Sequence, residues 1–156
     1  MKNFQFPFCL LLLSTLIIFS CKKDEFVHPD YIIFGSFGGF CANDCRYVYY
    51  LDDTKLLEDT TKLFFQNKEL SNFSKQLSTD DFTIAKDLIN KVPTALTKSN
   101  RTIFVDINVA DQNIYYVQIL LKGRTYYWTF DNFPNSTPSY LKPLADEVYR
   151  ISNELR

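Results

Sequence analysis

Two runs of β-forming residues around Lys122-Gly123 constrain this chain's fold more than any other stretch. Before the turn lies Tyr115-Tyr116-Val117-Gln118-Ile119-Leu120-Leu121, and after it Thr125-Tyr126-Tyr127-Trp128-Thr129-Phe130. Two turn residues, one of them glycine, between such runs predict a tight antiparallel hairpin. Side chains alternate across a strand, so Tyr115, Val117, Ile119 and Leu121 share one face of the first strand. Tyr126, Trp128 and Phe130 share one face of the second. Upstream, Arg101 to Ile107 alternates in the same way and predicts a third strand of an antiparallel meander.

The same reasoning extends towards the N-terminus. Tyr31-Ile32-Ile33-Phe34 reads as a buried strand, broken by Gly35, Gly38 and Gly39. Tyr47 to Leu51 is the next strand, Asp52-Asp53 its turn, and Lys55-Leu56-Leu57 the return. With 15 Phe, 10 Tyr and only four Gly in 156 residues, the composition agrees with a β-rich core. Leu63 to Ser78 suits strand or helix equally.

Two helices complete the inventory. Ser78-Thr79-Asp80-Asp81 has the form of a capping box, followed by Phe82, Ala85, Leu88 and Ile89 at helical spacing, with Pro93 just beyond the end. Asp80 and Asp81 at that start complement the helix dipole, which explains them better than acid–base chemistry does. Near the C-terminus, Thr137 reads as an N-cap with Pro138 at the first helical position. Leu141, Leu144, Val148, Ile151 and Leu155 form its apolar stripe, and Pro143 predicts a kink or restart. The fold expected is α+β: an antiparallel sheet of hairpins with a middle helix and a C-terminal helix packed on one face.

The N-terminus carries an address. Lys2 precedes an apolar run from Phe8 to Phe19, about a dozen residues, against the roughly 20 a bilayer span requires. Ile18-Phe19-Ser20-Cys21 resembles a bacterial lipoprotein signal, cut before a cysteine that then carries acyl chains. Residues 1–20 are read as the signal peptide, 21–30 as a polar tether and 31–156 as one domain. Each buried acyl methylene contributes roughly 0.8 kcal/mol, so more than one chain makes attachment at Cys21 durable. Lys22-Lys23-Asp24-Glu25 resembles the signal that sends such lipoproteins to the outer face of the outer membrane. The expected location is therefore lipid-anchored at the outer membrane, with the body displayed at the surface or in the periplasm.

Of four cysteines, Cys9 leaves with the signal and Cys21 takes the lipid, which leaves Cys41 and Cys45. In an exported protein that pair predicts a disulfide closing the Gly-containing loop. Its three-residue spacing departs from a redox motif, and zinc would lack further cysteine ligands. Phe37 and Phe40 beside the loop either cap the core end of the hairpin or form a recognition tip. Tyr126 and Trp128 are the other candidates for a recognition surface.

Much chemistry is disfavoured. The single histidine, His28, lies in the tether, which argues against Ser-His and Cys-His nucleophiles. No phosphate-binding loop or dinucleotide fingerprint occurs, and no cofactor is expected. Asp106 to Asn113 resembles the start of a calcium loop, but Asp111 stands where glycine is required and no closing glutamate follows. A polar hairpin loop is the expectation there. A net charge of −1 with mixed signs gives no reason to expect nucleic acid.

Phe34-Gly35-x-Phe37 with Cys41-x-x-x-Cys45, Ala85-Lys86-Asp87-Leu88, Ala110-Asp111-Gln112 and Pro138-Ser139-Tyr140-Leu141 together resemble a family of small, uncharacterised Bacteroidetes-type outer-membrane lipoproteins. The resemblance spans most of the mature chain, although cysteines that some relatives carry near Val105 to Ala110 are missing here. It implies location and a similar fold, and supplies no activity or catalytic residue. The functional expectation is a non-enzymatic binding module with a protein or glycan partner. A carboxylate-dependent glycan hydrolase, drawing on Asp106, Asp111, Asp131 or Asp146, is one alternative, and an accessory subunit of an outer-membrane complex is another.

Overall fold

A computed structural model describes residues 26–38, 46–65, 68, 71–105, 113–131 and 137–156. Cys21, Phe40, Cys41, Cys45 and the calcium-like run from Asp106 to Gln112 lie outside the described residues. The strands are β1 (Phe26–Val27), β2 (Tyr31–Gly38), β3 (Tyr47–Leu51), β4 (Leu56–Asp59), β5 (Phe73–Gln76), β6 (Val92–Pro93), β7 (Ile103–Phe104), β8 (Asn113–Leu121) and β9 (Arg124–Phe130). The helices are α1 (Thr79–Ala85), continued by a tighter turn over Lys86–Asn90, α2 (Thr94–Lys98) and α3 (Lys142–Glu154). Seven strands form one sheet in the order β5-β4-β3-β2-β8-β9-β7, and β1 pairs with β6 in a separate ribbon. The fold is α+β, with a sheet antiparallel except at one edge.

The hairpin around Lys122-Gly123 forms as expected. Leu121 pairs with Arg124, and both turn residues have positive φ (53° and 74°), the signature of a type I′ turn. The third strand departs from expectation. β2 pairs with β8 from Tyr31↔Leu120 to Gly38↔Asn113, while β9 occupies the other edge of β8. With both edges of β8 taken, β7 runs parallel along the free edge of β9, matching Phe104 with Phe130. The residues before Asn113 therefore connect strands that are not neighbours, which corrects the expected hairpin loop. β2 continues through Gly35, which corrects the break expected there, and close packing within the sheet explains the glycine. A Cβ there would stand 2.0 Å from the Tyr47 carbonyl oxygen of β3.

The three helices among the described residues lie on one sheet face. Ile32, Phe34, Tyr49, Leu51, Val117, Ile119, Trp128 and Phe130 are buried there against Ala85, Leu88, Leu96, Leu144, Val148 and Ile151. The Ser78 capping box forms, with the Ser78 hydroxyl accepting from the Asp81 amide at 3.1 Å. Helix α3 starts later than expected, at Lys142. Pro138 instead contributes a carbonyl that accepts from the amides of Leu141 and Lys142, and Pro143 sits in the first turn without interrupting a backbone bond. The C-terminus closes on the sheet: Tyr49 Oη donates to the Leu155 carbonyl at 3.1 Å, and Arg156 bonds the buried Ser36 hydroxyl.

Residues 26–30, expected to belong to the tether, pack with the body. Phe26 and Val27 pair with Pro93 and Val92, Pro29 is buried, and His28 Nδ1 lies 2.9 Å from Asn90 Oδ1. The folded body therefore includes residues 26–30. Among the described residues no helix is long and apolar enough to cross a membrane.

Candidate functional site

Alternation that sends Ile32, Phe34, Tyr49 and Trp128 towards the helices sends their neighbours the other way. Tyr31, Ile33 and Phe37 of β2, Val48 and Tyr50 of β3, Tyr116 and Gln118 of β8, and Tyr127 of β9 lie on the face away from the helices. Cross-strand register sets Tyr50, Ile33, Gln118 and Tyr127 side by side in one row. Four strands at ~4.8 Å spacing make that row roughly 14 Å long.

Part of this face is covered by the connection between β4 and β5. Phe64 and Phe65 sit edge-on to Tyr116, with ring centroids 5.3 and 5.5 Å away. Asp59 holds the connection in shape. Its side chain, 2% exposed, accepts from the amides of Thr61 (3.1 Å), Phe64 (3.3 Å) and Asn72 (2.9 Å) and from the Thr61 hydroxyl (2.7 Å). Four donors compensate the burial of a carboxylate that would otherwise be unfavourable.

Lys68 reaches back from this connection onto the row. Its Nζ stands 5.2, 5.0 and 5.4 Å from the ring centres of Phe64, Tyr116 and Tyr127. It donates to Tyr116 Oη at 2.7 Å and to Gln118 Oε1 at 3.1 Å, and Tyr116 Oη itself donates to Gln118 Oε1 at 2.7 Å. Burial lowers the Lys68 pKa, whereas the Phe64 and Tyr127 rings and two oxygen acceptors favour its charged form. Burial raises the Tyr116 pKa, and Tyr50 is pushed up to about 12 by burial and then by the nearby Asp52 carboxylate. These phenols are neutral at physiological pH. The row can stack on a ligand and exchange hydrogen bonds with it.

The expected recognition residues are divided between the two faces. Phe37 is half-buried against Phe65 of the β4–β5 connection, with ring centroids 4.2 Å apart. Trp128 is 1% exposed, and its place in a recognition surface is corrected: it belongs to the helix-side core. Tyr126 stacks parallel to it, 6.1 Å away, and both border a small hollow of about 140 Å³ with Ser99 and Thr102. The error has a physical origin. Alternation groups Tyr126 with Trp128 but carries no information on which face the helices will cover. Tyr116, Tyr127, Gln118 and Lys68 were missed, although the doublets Tyr115-Tyr116 and Tyr126-Tyr127 necessarily send one ring to each face.

Of the carboxylates considered for hydrolysis, Asp131 is buried after β9, and Asp146 is exposed on α3 with Lys142 Nζ at 2.7 Å. Among the described residues no group of three His, Cys, Asp or Glu side chains is placed to hold a metal. Comparison with protein families, curated proteins and solved structures gives no match for this chain.

Proposed function

We propose that this chain is an exported lipoprotein, held at the outer membrane by acyl chains on Cys21, that works as a non-enzymatic binding module. Its binding face is the sheet surface away from the helices, and its partner is a protein or a glycan at the cell surface. The observation that carries this reading is the row Tyr50–Ile33–Gln118–Tyr127, in which a ring stands at each end and an amide lies beside one of them. Tyr127 is 50% exposed at its outer end. Rings supply contact area at small entropic cost and the amide supplies direction, a combination suited to recognition.

The test uses the intact lipoprotein cross-linked in whole cells. Tyr50→Ala combined with Tyr127→Ala is expected to lower partner recovery at least tenfold. Tyr149→Ala, which removes an exposed ring from α3, serves as the control on the other side. Equal recovery from all variants removes the binding face from the reading. The anchor is tested separately: Cys21→Ala is expected to leave the precursor uncleaved and free of palmitate label, and normal labelling overturns it.

A further inference from the structure

We propose that Phe64, Tyr116, Tyr127 and Gln118 form a cage for a primary alkylammonium group, and that Lys68 is its tethered occupant, displaced by a lysine side chain of a protein partner. This rests on reading the open sheet face as the binding face. The cage's fit is measured on Lys68 itself, whose Nζ lies 5.0–5.4 Å from three ring centres and within bonding distance of two oxygens. The bond from Tyr116 Oη to Gln118 Oε1 orients both oxygens towards the same point. Every other cation over a ring among the described residues meets a single ring: Lys55 at Tyr50, Lys62 and Arg156 at Tyr47, and Arg101 at Phe104. Two further rings around an ammonium that already meets the Tyr116 hydroxyl and the Gln118 amide oxygen make a built site for a cation.

Displacement is physically open. Lys68 is exposed, and so is Tyr127, the outer wall of the cage. Among the described residues Lys68 pairs with no carboxylate, so its departure strands no buried anion. The Lys68 ammonium can swing into water while the main core stays packed. A competing lysine arriving on a partner meets the same rings and oxygens, and its affinity is reduced only by the fraction of time Lys68 occupies the cage.

Fluorine NMR of the full chain in detergent, labelled with 3-fluorotyrosine, reads the cage at Tyr116 and Tyr127. Lys68→Ala is expected to bind N-acetyl-lysine methylamide roughly tenfold more tightly than the unaltered chain does, with both tyrosine signals moving. Adding Tyr127→Ala in that background is expected to reverse the gain. No movement, movement that survives Tyr127→Ala, or equal binding of 1-pentanol overturns the cage. Tighter binding of n-butylammonium than of the lysine diamide assigns the site to free amines and overturns the protein partner. If Lys68→Ala disturbs the Tyr49 and Tyr115 signals of the opposite face, the unaltered chain decides. Acylation of Lys68, with reagent in excess over the diamide's own amine, should then quicken about tenfold with saturating lysine diamide, and an unchanged rate overturns displacement. Loss of the cage with partner recovery still dependent on Tyr50 leaves the binding face standing. Loss of recovery with ammonium binding intact removes that reading alone.

Discussion

The two faces of one sheet use similar residues to opposite ends. On the helix side, Trp128, Tyr49 and Phe34 are each 1% exposed or less and join a continuous core with all three helices. On the other side, Tyr116, Ile33, Val48 and Phe64 form a smaller cluster fringed by half-buried rings. Trp128 and Tyr127 are adjacent in sequence, yet one is 1% exposed and the other 50%. Aromatic content therefore does not distinguish core from surface in this protein. What covers the ring decides, and here helices cover one face while a short connection clipped by Asp59 covers part of the other.

The largest expected effect tests the helix side. Trp128→Ala should destabilise by about 3–5 kcal/mol in urea unfolding, because it removes a large ring from a packed site that cannot fully collapse. A loss under 1 kcal/mol would mean that the helices do not seal this face. On the open side the largest effect comes from a polar group. Asp59→Ala leaves three buried or half-buried amides without their acceptor, and about 2 kcal/mol of destabilisation is expected. Hydrogen exchange should show that loss concentrated at Thr61 and Asn72; uniform loss across the sheet would contradict a local clip.

Tyr127→Ala sharpens the contrast with its neighbour. Its ring is half in water, so a loss of only about 0.5–1 kcal/mol is expected. A value matching Trp128→Ala would erase the distinction between the faces. The smallest effect concerns β1, outside the seven-stranded sheet. The His28 pKa is raised, first by its bond to Asn90 and then by Asp53. A raised folded-state pKa contributes stability that is present below the unfolded value near 6.5 and is lost as pH rises through the folded value. The amides of Phe26 and Val27 should thus exchange faster, relative to the core, at pH 8 than at pH 6. His28→Gln should flatten that difference. A dependence of the opposite sign would exclude His28 as its source.

Local rules were legible wherever the deciding interaction lies within a few residues. The Ser78–Asp81 capping box, the Lys122-Gly123 turn and the Leu144, Val148 and Ile151 stripe all belong to this class. Thr137 and Pro138 mimic a helix start, and their turn does lead into α3, but the regular helix begins only at Lys142. Elements that depend on competition between distant segments were less legible. The strand at Ile103–Phe104 was visible as a strand, while its parallel place beside β9 followed from β2 taking the edge of β8. The candidate site shares that limitation, because its rings come from β8, β9 and the connection after β4, and Lys68 carries no local signature.

The sequence by itself determined the α+β class, the alternation of β8 and β9 and the helix-side residues of α3, because periodicity and capping are short-range properties of the chain. Only the tertiary structure decided which face of each strand meets the helices. That choice depends on where three separate helices settle, and it is the choice that places Trp128 in the core and Tyr127 at the surface.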